Sequence, residues 1–185
     1  MGLNEDVGRR LRALRNGMDV SLSELARRSG VGKGTLSELE GGRRNPTLET
    51  LYALTTALGR PLSAVLSDPL PGGRPGENRP GVSGSAVTAV LLERYEDGEA
   101  VTDVFRVTIR AGAVQESEAH VPGTTESLMV LAGTAVVGLP GGLGTVGPGD
   151  SVRWEADAPH VYSAPDGDVQ GILFVRSPVA GERRK

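Results

Sequence analysis

Apolar positions in the first third of the chain recur every three or four residues. Val7, Leu11 and Leu14 share one face, Leu48, Leu51, Leu54 and Leu58 another, and Leu62, Val65 and Leu66 form a short last group. Between them, Leu25, Val31, Leu36 and Leu39 can meet in one small core. This is the period of amphipathic helices, and it predicts five of them. Past Ser85 the period shortens. The runs AVTAVLLERY, VTDVFRVTI, ESLMVLAG, TAVVGL, SVRWEA, HVYSA and VQGILFV, separated by Gly, Pro and Asp, predict an all-β half. Asp68 to Ser85 holds four prolines and five glycines in eighteen residues, so it reads as a linker. The organisation expected is therefore 1–67 helical, 68–85 linker and 86–178 all-β.

Local chemistry marks one helix pair closely. Ser21 stands as an N-cap with Glu24 three residues on, the spacing of a capping box. Ala26 permits close helix approach, and Gly30 can take the positive φ that a tight turn requires. Leu22 to Glu40 thus reads as a helix-turn-helix. Residues from about Asn4 to Ser67, above all GGRRNPTLETLYALTTALG, resemble the lambda-repressor-like, or XRE-family, DNA-binding domain. The resemblance implies that the second motif helix enters the major groove of double-stranded DNA. Its first residues, Lys33, Gly34, Thr35 and Ser37, would then face base edges: Lys33 donates to guanine, and the Thr35 methyl suits thymine. Gly32 departs from the family, in which Ser or Thr usually caps this helix. Arg43, Arg44, Arg9, Arg10 and Arg27 are candidates for phosphate contacts.

Charge divides along the same boundary. The chain carries −3 in total, but residues 1–67 hold ten basic and seven acidic side chains, and the remainder ten and sixteen. The basic half is the one expected to meet phosphate. The absence of cysteine excludes disulfides and thiol redox sensing and suits the cytoplasm. No apolar run predicts a membrane span.

The chain has two histidines, His120 and His160. His120 is followed by Glu126 and Gly133, and the second lies in PGDSVRWEADAPHVYSA, eleven residues after Gly149. These stretches resemble the two cupin motifs. Pro122 replaces the middle histidine of the first, and Glu155, Asp157 and Ala164 replace the proline, glycine and asparagine of the second. The resemblance implies a double-stranded jelly-roll barrel. Strand alternation then turns Glu118, His120, Glu126, Leu128 and Val130 inward, with His160 and Tyr162. Two imidazoles and a carboxylate could hold iron, nickel, zinc or manganese, or the histidines could hydrogen-bond one another, Glu126 or an organic effector.

The order helix-turn-helix, linker, cupin is similar to a family of bacterial transcription regulators. The function expected is operator binding by a homodimer joined through the barrel, each subunit reading half of a palindrome, with His120, Glu126, His160 and Tyr162 receiving a small-molecule effector or a metal ion. Two alternatives stand beside it: a metal-dependent cupin oxygenase of the epoxidase type carrying a helix-turn-helix, and a barrel serving only as a dimerisation scaffold.

Overall fold

The computed structural model describes residues 3–66 and 81–179. Most of the predicted linker, 68–80, lies outside the described residues.

The helical half contains α1 (Leu3–Gly17), α2 (Leu22–Ser29), α3 (Lys33–Glu40) and α4 (Leu48–Ala57). The fifth predicted helix is a single 3-10 turn, Leu62–Val65, opened by Pro61, which has no N–H to donate. Ser21 caps α2 as expected, its hydroxyl accepting the Glu24 N–H at 3.1 Å. The return half of the capping box is replaced: both Glu24 carboxylate oxygens accept from Arg27 and Arg28. Gly30 ends α2 at φ 70°, a conformation that strains any residue with a Cβ. Val7, Leu11, Leu25, Leu36, Leu39, Leu51 and Leu54 fill the core between the helices.

Ten strands build the second half: β1 (Val82–Ser83), β2 (Val87–Glu96), β3 (Ala100–Ile109), β4 (Val114–Ser117), β5 (Thr125–Ala132), β6 (Ala135–Gly138), β7 (Gly144–Val146), β8 (Ser151–Glu155), β9 (His160–Ser163) and β10 (Val169–Pro178). The order β1-β2-β3-β10-β5-β8 makes one sheet and β4-β9-β6-β7 the other, with antiparallel pairing throughout. The barrel begins earlier than the sequence pattern placed it, because Val82 and Ser83 pair with Ala89 and Thr88. Along β10 every second residue is buried, from Val169 to Ser177. On β5 the buried set is Glu126, Leu128 and Val130.

The two halves do not have separate cores. Their buried apolar side chains form one continuous cluster, from Val7 in α1 to Val175 in β10. The reason lies in α4, which packs on two sides. Leu48, Leu51 and Leu54 face the helices, while Glu49 and Tyr52, three residues apart and so on one face, meet the barrel. The Glu49 carboxylate accepts the Ser85 N–H at 2.6 Å. Buried Asp103 of β3 lies beside Ser63 of the 3-10 turn.

Candidate functional site

Two places carry chemistry, and they are built in opposite ways. At the first, α3 starts at Lys33 after Gly32, which makes no side-chain cap bond. Lys33, Gly34 and Ser37 are exposed and Thr35 is half-buried. The far end of α3 is pinned: Glu40 accepts from Arg15 of α1 through both oxygens, at 2.6 and 2.8 Å, and Arg15 also donates to the Val20 carbonyl. Around the helix, Arg9 and Arg10 pair with Asp6, Arg27 with Glu24 and Arg44 with Glu38. The Arg27 side chain is 72% exposed and that of Arg44 55%. Pairs so wet contribute about 0–1 kcal/mol, so a phosphate can take the guanidinium at little cost. Arg43 lines a cleft of about 300 Å³ with Arg12 and Ser37. Arg12 of α1 lies outside the Leu22–Glu40 motif, and only the crossing of α1 over α3 brings it into this cleft.

At the second place, inside the barrel, Glu126 of β5 sits between the two histidines. Its Oε1 accepts from His120 Nε2 at 3.0 Å, and its Oε2 accepts from the Tyr162 hydroxyl and lies 3.3 Å from His160 Nε2. All four side chains are buried. His160 Nδ1 donates to the Ala158 carbonyl at 2.9 Å, which leaves a lone pair on Nε2. That buried nitrogen has no hydrogen-bond partner, although it stands near a carboxylate oxygen. A lone pair beside a carboxylate calls for a cation or proton between them. Burial pushes Glu126 up, but the hydrogen bond from His120, the two imidazoles and Tyr162 outweigh it and hold the carboxyl below its usual range. Burial lowers His160, with Glu126 opposing, so the imidazole is neutral and able to ligate.

The ligand atoms of His120, Glu126 and His160 lie within 4.8 Å of one another, and theirs is the one such group of three among the described residues. The unpartnered Nε2, the backbone-anchored Nδ1 and the carboxylate between two imidazoles fit a divalent metal ion with open positions left for other ligands.

One expected neighbour is elsewhere. Glu118 is exposed, not inward. The strand ends at Ser117, so the alternation that buries Gln115 and Ser117 carries Glu118 outward. His120 enters the barrel from the following loop, its N–H bonded to the Ala156 carbonyl at 2.9 Å. Two aromatic residues join the site unannounced. Trp154, paired across the ladder with Glu126, packs at 6.1 Å between ring centroids from His160 and 5.7 Å from Tyr162. Its alternation with Val152 and Ala156 could have revealed it. Tyr52 of α4 stacks on His120 at 3.9 Å and 10°. Its place off the Leu48, Leu51 and Leu54 face of α4 was the one sequence signal for it.

A helix-turn-helix with an exposed recognition helix, joined to a cupin barrel with a buried His/Glu/His cluster, defines the class: a DNA-binding regulator of XRE type with a cupin domain. The HTH_3 helix-turn-helix family profile matches residues 11–65. The HTH-type transcriptional regulator SutR of Escherichia coli strain K12 is 30% identical over 164 residues, 89% of either chain. The chain belongs to this family of HTH-type transcriptional regulators. The transcriptional regulator ClgR of Mycobacterium tuberculosis is 44% identical over 66 residues, 36% of this chain and 59% of that one. The crystal structure of an HTH_3 family transcriptional regulator from Vibrio cholerae shares the fold, with a TM-score of 0.79 over 96% of this chain and 98% of that one, at 24% identity. Among the described residues no helix is long and apolar enough to cross a membrane.

Proposed function

We propose that the protein is a cytoplasmic, sequence-specific operator-binding regulator whose barrel takes up a divalent metal ion, alone or with a small molecule, and thereby alters its affinity for DNA. The observation that carries the reading is the unpartnered His160 Nε2 beside Glu126, in a chain whose relatives are transcriptional regulators. His120, Glu126 and His160 would hold the ion, which would supply positive charge and open coordination positions. Tyr162 keeps Glu126 oriented from the opposite side. The two phenols beside the cluster, Tyr52 and Tyr162, are held protonated by burial and by Glu126, which favours the regulator reading over the enzyme alternative.

On the DNA side, Lys33, Gly34, Thr35 and Ser37 read bases, and Arg43, Arg44, Arg9 and Arg27, with Arg12, hold phosphates. One recognition helix makes too few contacts for tight specific binding, so two copies read half-sites about 34 Å apart. The face that joins them is the outer side of the larger sheet, where Met129, Leu131 and Phe174 are exposed together on β5 and β10. Reading falls to the helical part and sensing to the barrel from Val82 onward, although the two parts pack together.

The test is selection from randomised duplexes, followed by titration of the enriched duplex with and without Co²⁺, Ni²⁺, Zn²⁺, Mn²⁺ or Fe²⁺. An enriched palindrome and a metal-dependent affinity change of about 5- to 150-fold are expected. Absence of any enriched sequence overturns the assignment of base readers. An affinity identical with and without every metal overturns the sensing role.

A further inference from the structure

His120 and His160 are oriented by different means. The His160 ring is fixed by its Nδ1 bond to the Ala158 carbonyl. A histidine that serves as a ligand ordinarily has such an anchor on its second nitrogen, because the anchor sets ring orientation and tautomer. His120 has none: its Nδ1 is buried and without a partner. What defines its ring plane instead is a stack against Tyr52 on one face, at 3.9 Å and 10°, and the edge of His160 at 4.9 Å and 84°.

Tyr52 belongs to the helical half. It sits one turn after Glu49, whose carboxylate takes the Ser85 N–H at the start of the barrel. The approach is close: a Cβ on Gly84 would run into Glu49 Oε1 and Gln115 Oε1. Gln115 in turn accepts the N–H groups of Ala86 and Val87, at 3.2 and 3.0 Å. The seat of α4 on the barrel is thus fixed by directional bonds at one end and by an aromatic stack on a candidate ligand at the other.

We propose that the barrel site is shared between the two halves: Tyr52 is the positioning residue that holds His120 in its ligating orientation, so that the site is complete only while α4 is docked. Linkage makes the relation reciprocal. An ion held by His120, Glu126 and His160 favours the docked arrangement over any arrangement in which α4 has left, by the same factor as docking favours the ion. This rests on the metal-binding reading above and adds to it the route by which occupancy reaches the DNA-binding half.

The experiment uses the full-length protein, Co²⁺ as the probe, and two variants, Tyr52→Phe and Tyr52→Leu. Phe keeps the planar stack, and Leu keeps apolar bulk without it; circular dichroism checks that both are folded. Release of Co²⁺ to excess EDTA is followed by the Co²⁺ visible absorption and by emission of the single Trp154, which lies beside His160. Hydrogen exchange of the α4 amides is measured with and without Co²⁺. In the wild type Co²⁺ should slow α4 exchange. Tyr52→Leu should release Co²⁺ at least about tenfold faster and lose that protection, and Tyr52→Phe should restore both to within about twofold. Equal release rates and equal α4 protection in wild type and Tyr52→Leu would overturn the proposal, as would a Tyr52→Phe variant that behaves like Tyr52→Leu. If Tyr52→Leu does not fold, the decision passes to the wild-type α4 exchange and the Phe rescue, and α4 exchange unchanged by Co²⁺ overturns the proposal. Operator affinity of the wild type with and without Co²⁺ separates the two readings. A wild type that binds Co²⁺ with Tyr52-dependent release but unchanged DNA affinity keeps the shared site and removes the sensing role. A DNA response identical in all three proteins does the reverse. No Co²⁺ uptake by the wild type overturns both.

Discussion

The start of α3 and the interior of the barrel hold their polar groups to opposite ends. Lys33, Gly34 and Ser37 stand in water, and the neighbouring arginines sit in wet ion pairs that are easily exchanged. Glu126, His120, His160 and Tyr162 are buried; Glu126 accepts from His120 and Tyr162 and lies 3.3 Å from the unpartnered His160 Nε2. A surface that reads many sequences gains from spare donors, because water satisfies them until a base edge does. A site that admits one small ligand or ion gains from enclosure, because a low dielectric strengthens each contact and makes a missing partner costly.

That contrast can be broken or sharpened by mutation. A largely enclosed ion pair at the edge of the helical core should come nearer to the barrel site than to the surface pairs. Arg15→Ala strands the Glu40 carboxylate, whose side chain is 7% exposed. It should cost about 3–5 kcal/mol in urea denaturation and weaken DNA binding for every sequence. Next in size is Glu126→Gln, which keeps shape and removes charge. Isothermal titration should show cation affinity reduced by more than about 100-fold, with basal operator binding changed little. At the reading surface the same kind of truncation should be silent in stability and specific in function. Lys33→Ala should leave the denaturation midpoint unmoved and cost about 1–3 kcal/mol at one base position in a binding-site selection. Arg43→Ala should weaken all duplexes alike and lower the slope of log affinity against log salt by about 1 per subunit.

The smallest effect concerns protons. The side-chain bonds from Arg27 and then Arg28 hold Glu24 at a pKa of about 2, against an ordinary 4.5. A carboxylate whose folded pKa is depressed contributes its stabilisation above the unfolded value and loses it as pH falls through the folded one. Carbon-detected NMR should show Glu24 titrating near 2 in the wild type and moving toward its ordinary value in Arg27→Ala.

Much of both halves is written in periodicity and caps. The helical period, the Ser21 cap and the Gly30 turn are local, so residues 3–66 fold as the pattern predicts, except where Pro61 shortens the last helix to one turn. Strand alternation likewise turns Glu126 and Leu128 inward, because a regular strand repeats every two residues. For Glu118 the expected parity is set from His120, which a loop delivers after the strand has ended at Ser117; the strand's own alternation, with Gln115 and Ser117 buried, turns Glu118 outward.

What the sequence by itself determined is therefore the two fold classes and the inward placing of Glu126, Leu128 and Tyr162, since each depends on repeats within one element or on a short motif. Tertiary structure alone decided that α4 turns its second face to the barrel, that Arg12 joins Arg43 beside Ser37, and that Tyr52 stacks on His120 across 68 positions of chain. Such contacts join surfaces whose separate patterns are each already satisfied. No local period encodes them; at α4 the pairing is fixed by the Glu49 bond to Ser85 and the Tyr52 stack on His120, which exist only once the two halves have met.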